Sequence, residues 1–219
     1  MARRLDEPQG RGEFFTSLGR LLGGFVAGQV EEAVVGSGPK LLRPPGALPE
    51  FAFLAACTRC DRCLQACPQA AILKASGRAR LAVNTPYLDP RAMACFLCTG
   101  LPCIPACPDG ALVWPRRTVK GAAQEGPRAV KMGTAVVKRN LCLTWKAEAR
   151  EAIPCRTCWA RCPFPDEAIR MVEDPEGGPA HPEVEAEVCT GCGLCTFGCP
   201  TPDPAIVIEP ERQEDPRSA

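Results

Sequence analysis

Short apolar runs recur along the chain beside cysteine-containing stretches. Four of them follow a Cys-Pro pair: QAAIL from Gln69, DGALVW from Asp109, DEAIRMV from Asp166 and DPAIVIE from Asp203. Two others, TAVVKRNLC and EVEAEVC, lead into a cysteine. Short apolar runs bounded by proline, glycine and aspartate indicate short strands separated by turns. The pattern predicts a small α+β fold whose strands flank the cysteine loops.

Residues 13–35 show helical periodicity instead. Apolar side chains share one helical face, namely Phe14, Leu18, Leu21, Leu22 and Phe25. The segment also holds four glycines, each costing a helix about 1 kcal/mol, so this amphipathic helix should form only when docked. Its uncharged part is shorter than the roughly 20 residues that span a bilayer. We predict no transmembrane segment, and an arm that packs on the protein itself or anchors it to a partner subunit or membrane surface.

Composition limits what can stabilise the fold. The net charge of +1 gives no reason to expect a nucleic-acid partner, and aromatic residues make up only 5% of the chain. The chain has 24 prolines and 20 glycines, which disfavour long regular elements. A large core of bulky side chains is therefore not expected, and the cysteines are the candidates for holding the chain together.

All 16 cysteines fall into four groups of four. The first and fourth groups have the spacing C-x2-C-x2-C-x3-C-P, and the second has two extra residues in its middle gap. In the third group, twelve residues separate the first two cysteines. The groups are Cys57, Cys60, Cys63 and Cys67; Cys95, Cys98, Cys103 and Cys107; Cys142, Cys155, Cys158 and Cys162; and Cys189, Cys192, Cys195 and Cys199.

This spacing is typical of [4Fe–4S] clusters. A tight turn presents three thiolates to one cube, and in two-cluster ferredoxins the cysteine after x3 ligates the other cluster. Disulfides would need an oxidising compartment. Zinc sites usually use separated cysteine pairs, often with histidine, and His181 is the single histidine here. We predict four [4Fe–4S] clusters held by all 16 cysteines, in ferredoxin-like units of an α+β fold.

Two pairings of the groups are open. The longest gap between groups contains PRRTVKGAAQEGPR, residues 115–128, which is polar and rich in breakers and indicates a linker or surface loop. This favours two tandem dicluster units, with groups one and two in residues 47–117 and groups three and four in 118–210. A nested arrangement, group one with four and two with three, is the alternative. Residues 1–46 form the arm and linker, and 211–219 a disordered tail.

In the tandem arrangement each unit exchanges cysteines between its two sites. The expected sets are Cys57, Cys60 and Cys63 with Cys107; Cys95, Cys98 and Cys103 with Cys67; Cys142, Cys155 and Cys158 with Cys199; and Cys189, Cys192 and Cys195 with Cys162. Cys142 belongs to the third set because its group would otherwise hold three cysteines. The loop LTWKAEAREAIP between Cys142 and Cys155 is then a lid over that site or a docking surface.

Other chemistry is sparse in the sequence. His181 lies in GGPAHPEVEAEV and is predicted to be a surface residue. Asp166 and Glu167 follow a cysteine turn and are expected to cap a helix or face solvent. No Walker or dinucleotide glycine motif is present in the sequence. We therefore predict an electron carrier rather than an enzyme.

Several phrases resemble one family. LRPPGALPEFAFLAACTRC from Leu41, TPYLDPRAMACFLC, LPCIPACPDGAL and KMGTAVVKRNLCL are similar to the MauM/NapG family of ferredoxin-type proteins, with NapF-type ferredoxins as near relatives. The resemblance implies four [4Fe–4S] clusters. It also implies electron transfer from a membrane ferredoxin-type partner that oxidises quinol toward a terminal oxidoreductase. A cytoplasmic accessory or maturation ferredoxin for a metalloenzyme, such as a molybdoenzyme, is the alternative function.

The resemblance also bears on location. Exported members of the family carry an Arg-Arg pair before an apolar run, whereas here the corresponding stretch is GRGEFF. We therefore expect a cytoplasmic protein, with or without membrane association, and hold a periplasmic location as the alternative.

Overall fold

The longest strand pairing joins segments that are far apart in sequence. In the computed structural model, which describes residues 40–145, 153–175 and 177–211, β5 (Gly133–Val137) runs antiparallel to β8 (Ile206–Pro210) with Ala135 opposite Ile208. The next pair is antiparallel too: β6 (Ile169–Val172) lies against β7 (His181–Val184). These strands form where the apolar runs predicted them, although β7 covers only the first two residues of EVEAEVC.

The first cysteine groups lie in a similar arrangement with shorter ladders. Strand β1 (Ile72–Lys74) pairs antiparallel with β2 (Pro86–Leu88), and Ala47 bridges Leu112. The run DGALVW forms only this bridge rather than a strand. Its partner segment begins Pro44-Pro45-Gly46, and prolines have no N–H to extend a ladder.

The sequence indicated a linker or surface loop at residues 115–128, but the structure shows regular elements there. These residues contain a β-hairpin of β3 (Arg116–Val119) and β4 (Ala122–Glu125), followed by a 3₁₀ helix, Gly126–Ala129. Lys120 and Gly121 both have positive φ, 48° and 78°, as a two-residue hairpin turn of type I′ requires. The strands lack apolar alternation because both faces are largely exposed.

The helices are short and most begin inside a cysteine motif. Helix α1 (Glu50–Ala56) leads into Cys57, and α2 (Arg62–Gln65), α3 (Thr157–Arg161) and α4 (Leu194–Phe197) lie within the motifs. Two further 3₁₀ segments are Gly77–Ala82, which is kinked at Arg80, and Leu143–Trp145. Across the described ranges, every helix is too short or too polar to cross a membrane. The prediction of a small α+β fold with short strands is confirmed, and the structure shows that the strands pair antiparallel.

The main core draws on both halves of the chain. Phe53, Leu101 and Met132 are almost completely buried, and the same cluster includes Cys192 and Leu194. A second cluster surrounds Ala135 and Ile169. Buried cysteines are members of both clusters, so the core is small and is built around sulfur. The division at 117/118 into two dicluster units stays a prediction.

Several predicted features lie outside the described residues. They are the helical arm with Phe14, Leu18, Leu21, Leu22 and Phe25, most of the 211–219 tail, and residues 146–152 of the loop after Cys142.

Candidate metal centres

Four cavities are each lined by four cysteines. Their volumes are similar, about 370, 360, 300 and 380 Å³ with open solvent included. We number them by position: the first has Cys57, Cys60, Cys63 and Cys107; the second Cys67, Cys95, Cys98 and Cys103; the third Cys162, Cys189, Cys192 and Cys195; the fourth Cys142, Cys155, Cys158 and Cys199.

Each cavity combines two cysteine groups. Cys107 and Cys67 are exchanged between the first and second cavities, and Cys162 and Cys199 between the third and fourth. All 16 cysteines are free thiols and all 16 line a cavity. Among the described residues, no three His, Cys, Asp or Glu side chains surround one point closely enough for a single metal ion. The thiols surround a volume instead.

Left-handed backbone shapes the turns that hold the first three thiols. Arg59 and Asp61 have φ of 60° and 64° on either side of Cys60. At the corresponding positions around Cys192, the fourth group has Gly191 and Gly193, with φ of 73° and 82°. A side chain there costs roughly 1–2 kcal/mol. In the first turn, Arg59 adopts this geometry while its guanidinium donates to the carbonyl oxygens of Cys57, Leu81 and Val83.

Burial differs along the four cavities. Cys60 in the first cavity is the one cysteine of 16 that is exposed, whereas Cys103, Cys189, Cys192 and Cys195 are buried. The other cysteines are intermediate. The first cavity is therefore the one whose thiols reach the solvent most directly.

Burial also keeps the thiols protonated when no iron is bound. It raises the pKa of Cys63 to about 11 and that of Cys103 to about 12, and neighbouring thiolates add to both effects. The pKa of Cys95 and that of Cys158 are raised to about 12, again mainly by burial. A cluster bound in these cavities must therefore displace protons, because iron binds the thiolate.

Hydrogen bonds to sulfur are concentrated at the fourth cavity. Thr144 Oγ1 lies 3.2 Å from Cys142 Sγ and Thr201 Oγ1 3.1 Å from Cys199 Sγ, and the Cys155 thiol donates to Thr157 Oγ1 over 3.6 Å. Although burial of Cys199 acts in the opposite direction, hydrogen bonds from Thr201 and from the backbone of Ala205 and Ile206 lower its pKa.

Contacts link each cavity to the next, from the first to the fourth. Cys63 is close enough to Cys103 to raise its pKa through charge repulsion, which links the first cavity to the second. The backbone N–H of Cys95 donates to the carbonyl of Cys192 over 2.9 Å, which links the second to the third. The pKa of Cys195 is raised by burial, then by Cys192 and Cys189 and, to a smaller degree, by Cys158, which links the third cavity to the fourth.

One of three side chains with predicted roles, His181, differs from its prediction. His181 is buried rather than on the surface, because it starts strand β7 and its ring lies 3.9 Å from that of Trp145. Asp166 faces solvent, as one alternative had it, and accepts a hydrogen bond from Trp159 Nε1 over 2.8 Å. Glu167 faces solvent, as one alternative had it, in a two-bond ion pair with Arg128. Sequence spacing gave no signal for these long-range contacts.

The donor chemistry of the cavities suits iron–sulfur clusters. Four soft thiols face each space. Three cysteine sulfurs, each the first or last of its group, also accept a backbone N–H hydrogen bond at 3.3–3.4 Å: Cys67 from Ala71, Cys189 from Ala135 and Cys199 from Ala205. Four cysteine ligands with hydrogen bonds to sulfur are the usual protein contribution to a [4Fe–4S] site.

Comparison with known proteins agrees with this chemistry. The chain is 34% identical over 202 residues to the ferredoxin-type protein NapG of Escherichia coli, which covers 87% of the chain and 81% of that protein. It is 34% identical over 173 residues to the methylamine utilization ferredoxin-type protein MauM of Paracoccus denitrificans, covering 78% of the chain and 71% of that relative. The chain belongs to the MauM/NapG family of ferredoxin-type proteins.

Other relatives of this MauM/NapG protein vary in coverage. MauM of Methylorubrum extorquens is 40% identical over 155 residues, and the alignment spans 64% of that relative, slightly less than two thirds. The ferredoxin-type protein NapF of Escherichia coli is more distant, 28% identical over 151 residues. No family model matches the chain. Membership and the cysteine content together identify an iron–sulfur protein of electron transport.

Proposed function

We propose that this chain holds four [4Fe–4S] clusters and carries single electrons between two redox proteins. The observation that carries the proposal is the presence of four cavities of similar volume, each lined by four cysteines. Four thiolates satisfy the four iron corners of one cube. The cavities use every cysteine once, so no thiol remains for a separate catalytic or structural role.

The cavity linings support a tandem arrangement of two dicluster units. Cys107 would complete the site of the first group and Cys67 that of the second, while Cys199 and Cys162 would do the same for the third and fourth groups. A nested arrangement would instead place cysteines of the first and fourth groups around one cavity. Cys142 lines the fourth cavity with Cys155 and Cys158, which supports its role as a ligand.

The row of cavities supports conduction through the whole protein. Bound clusters supply the one-electron chemistry, and the chain sets their spacing, their exposure and the hydrogen bonds to their sulfurs. The first and fourth cavities stand at the two ends of the row, so electrons would enter at one and leave at the other. This function needs no substrate pocket, and we propose a carrier rather than an enzyme.

The family and the two end cavities, the first and the fourth, suggest which redox partners bind this protein. We propose a membrane ferredoxin-type subunit that oxidises quinol on one side and a terminal oxidoreductase on the other. We propose a cytoplasmic location, because cysteines stay reduced there and their close spacing in this chain is typical of metal sites. We propose that the arm with Phe14, Leu18 and Phe25 anchors the protein to its partner or to the membrane surface. Deleting residues 1–36 should abolish that association, and unchanged association would exclude this role.

The direct test is anaerobic iron and sulfide analysis with an EPR-monitored redox titration. We expect about 16 iron atoms per chain, four for each of four cubes, and reversible one-electron signals that account for all of them. Far fewer iron atoms after careful reconstitution, or iron without reversible reduction, would exclude the proposed function.

A further inference from the structure

We propose that the mouth of the first cavity is a docking surface for a redox protein with a carboxylate-rich face. The inference rests on the proposed function, because the surface surrounds one end of the row of cavities. Beyond the proposed function, the inference specifies that a soluble partner binds at the first cavity and that this partner carries negative charge.

Exposure singles out this end. Cys60 is the exposed cysteine among the 16, and its neighbours Thr58 and Arg59 are exposed as well. Electron exchange between proteins needs close approach of the two redox groups. A partner can therefore come nearest to the row of cavities at Cys60.

Cations lie beside this mouth, and Arg59 itself lines the cavity. Arg62 follows directly after the turn at Cys60, and Arg59 holds the segment beyond it by donating to the carbonyl oxygens of Leu81 and Val83. That segment, the 3₁₀ helix Gly77–Ala82, carries Arg78 and Arg80, both exposed. We call three of these residues the basic rim: Arg59, Arg62 and Arg78.

The nearby carboxylates neutralise the rim only in part, because Asp109, which lines the cavity, keeps its negative charge beside the neutral hydroxyl of Thr58. Asp61 pairs with Lys74, Asp109 accepts from Thr58, and Glu50 pairs with the buried Arg43. In the described part of the chain, neither Arg62 nor Arg78 has an ion-pair partner. The whole chain has a net charge of only +1, so this positive rim is a local feature.

An apolar side chain completes the surface. The side chain of Leu81 is 56% exposed, and the carbonyl oxygen of the same residue accepts a hydrogen bond from Arg59. An exposed leucine bordered by arginines is typical of a protein interface, in which arginine is enriched and the apolar contact supplies close packing. Charge complementarity then steers the encounter and suppresses partners of the wrong sign. One electron crosses the contact in each encounter, so the donor protein is oxidised as the acceptor is reduced.

The test compares two purified one-electron carriers of opposite charge: an acidic [2Fe–2S] ferredoxin and a basic c-type cytochrome. Binding to the oxidised protein is measured by calorimetry and electron exchange by stopped flow, at about 0.01 M and about 1 M ionic strength, where screening differs strongly. We expect tighter binding and about tenfold faster exchange with the acidic carrier at low salt, and loss of both at high salt.

The variant Arg62→Glu with Arg78→Glu should remove this preference. The control Arg116→Glu with Arg170→Glu makes the same change of net charge on strands β3 and β6, away from the rim, and should retain it. Equal effects in both variants, a preference for the basic carrier, or no salt dependence in the unmodified protein would overturn the proposal. The salt dependence of carrier binding by the unmodified protein tests the docking surface even if the rim variant fails to bind iron.

A membrane surface is the other possible occupant. Vesicles containing about one third anionic phospholipid serve as the probe, at a charge density sufficient to attract basic residues. Rim-dependent binding to vesicles without preference for the acidic carrier would overturn the proposal.

Iron content and reversible reduction are measured in every sample. A protein with full iron content and no charge preference disproves the docking surface alone, whereas absent iron disproves the proposed function.

Discussion

The backbone N–H of Cys95 donates a hydrogen bond to the carbonyl oxygen of Cys192 over 2.9 Å. These two cysteines belong to the second and fourth groups and line the second and third cavities. Gly193, next to Cys192, lies so close to Pro90 that a Cβ at this glycine would stand 2.5 Å from the proline Cβ. The two halves of the chain therefore meet at the middle of the row, where electrons would pass from one pair of cavities to the other.

Replacing Cys142 with alanine should remove one cluster and leave three. Cys142 lines the fourth cavity with Cys155, Cys158 and Cys199, and a cube with three thiolates is weakly held. Iron analysis should fall from about 16 to about 12 atoms per chain, with one EPR component lost. Asn140→Ala, an exposed neighbour, should keep all the iron. Full iron content in the Cys142 variant would show that this thiol is not a ligand.

The three threonines at the fourth cavity should raise the reduction potential of its cluster. Thr144, Thr157 and Thr201 lie within hydrogen-bond distance of cysteine sulfurs, and such bonds stabilise the more negative, reduced state. A differential of about 1 kcal/mol corresponds to roughly 40 mV for one electron. We expect the triple valine variant to shift one midpoint potential downward by at least that amount.

A redox titration followed by EPR measures this shift. Thr118→Val, an exposed position on the β3–β4 hairpin, is the control and should leave all midpoints unchanged. An unchanged set of potentials in the triple variant would mean that the hydroxyls do not donate to the cluster ligands.

Two glycines with the same backbone conformation should differ sharply in tolerance to alanine. Gly46 and Gly110 have φ of 74° and 65°, but a Cβ at Gly46 would lie 2.0 Å from the carbonyl oxygen of Val113, whereas a Cβ at Gly110 meets nothing within 4 Å. Gly110→Ala should cost about 1–2 kcal/mol of backbone strain alone.

Gly46→Ala must also displace the Ala47–Leu112 bridge beside the first cavity. We therefore expect its clusters to be lost much faster on heating than those of Gly110→Ala, as measured by the decay of visible absorbance. Equal half-lives would contradict the close approach at Gly46.

Cluster assembly should depend on pH with a defined sign. Burial raises the pKa of Cys63 to about 11 and those of Cys95 and Cys103 to about 12, so these thiols are protonated at neutral pH without iron. A raised pKa stabilises the protonated apo sites below about pH 9, and this advantage is lost as the pH rises through the raised values.

Clusters bind thiolates, so protons are released on binding. For each proton released, the apparent binding constant of the cluster should rise by up to tenfold per pH unit between about pH 7 and 9. Indicator dye in weakly buffered solution should record proton release during anaerobic reconstitution. Reconstitution without proton release would show that the thiols are already ionised.

Much of the site followed from spacing alone. The x2 intervals around Cys60 and Cys192 dictate that three sulfurs share one turn, because chain length and the left-handed residues between them leave little choice. The runs that became β5, β6 and β8 were also evident, since apolar residues follow or precede the motifs.

The hairpin at residues 116–125 and the burial of His181 were not predicted. The hairpin has polar strands and depends on contacts such as the Lys120–Glu185 ion pair at 3.0 Å. His181 is buried through its strand pairing with β6 and its contact with Trp145. The burial of His181 depends on partners remote in sequence, whereas the hairpin was missed because its polar strands show no apolar alternation.

The sequence by itself determined which sixteen thiols are available and how they group, because motif spacing acts over a few residues. The tertiary structure decided which group completes which cavity, the meeting of Cys95 with Cys192 at the centre, and the exposure of Cys60 at one end. These features arise from packing between segments separated by many residues, where backbone hydrogen bonds and buried side chains, rather than local spacing, select the partners.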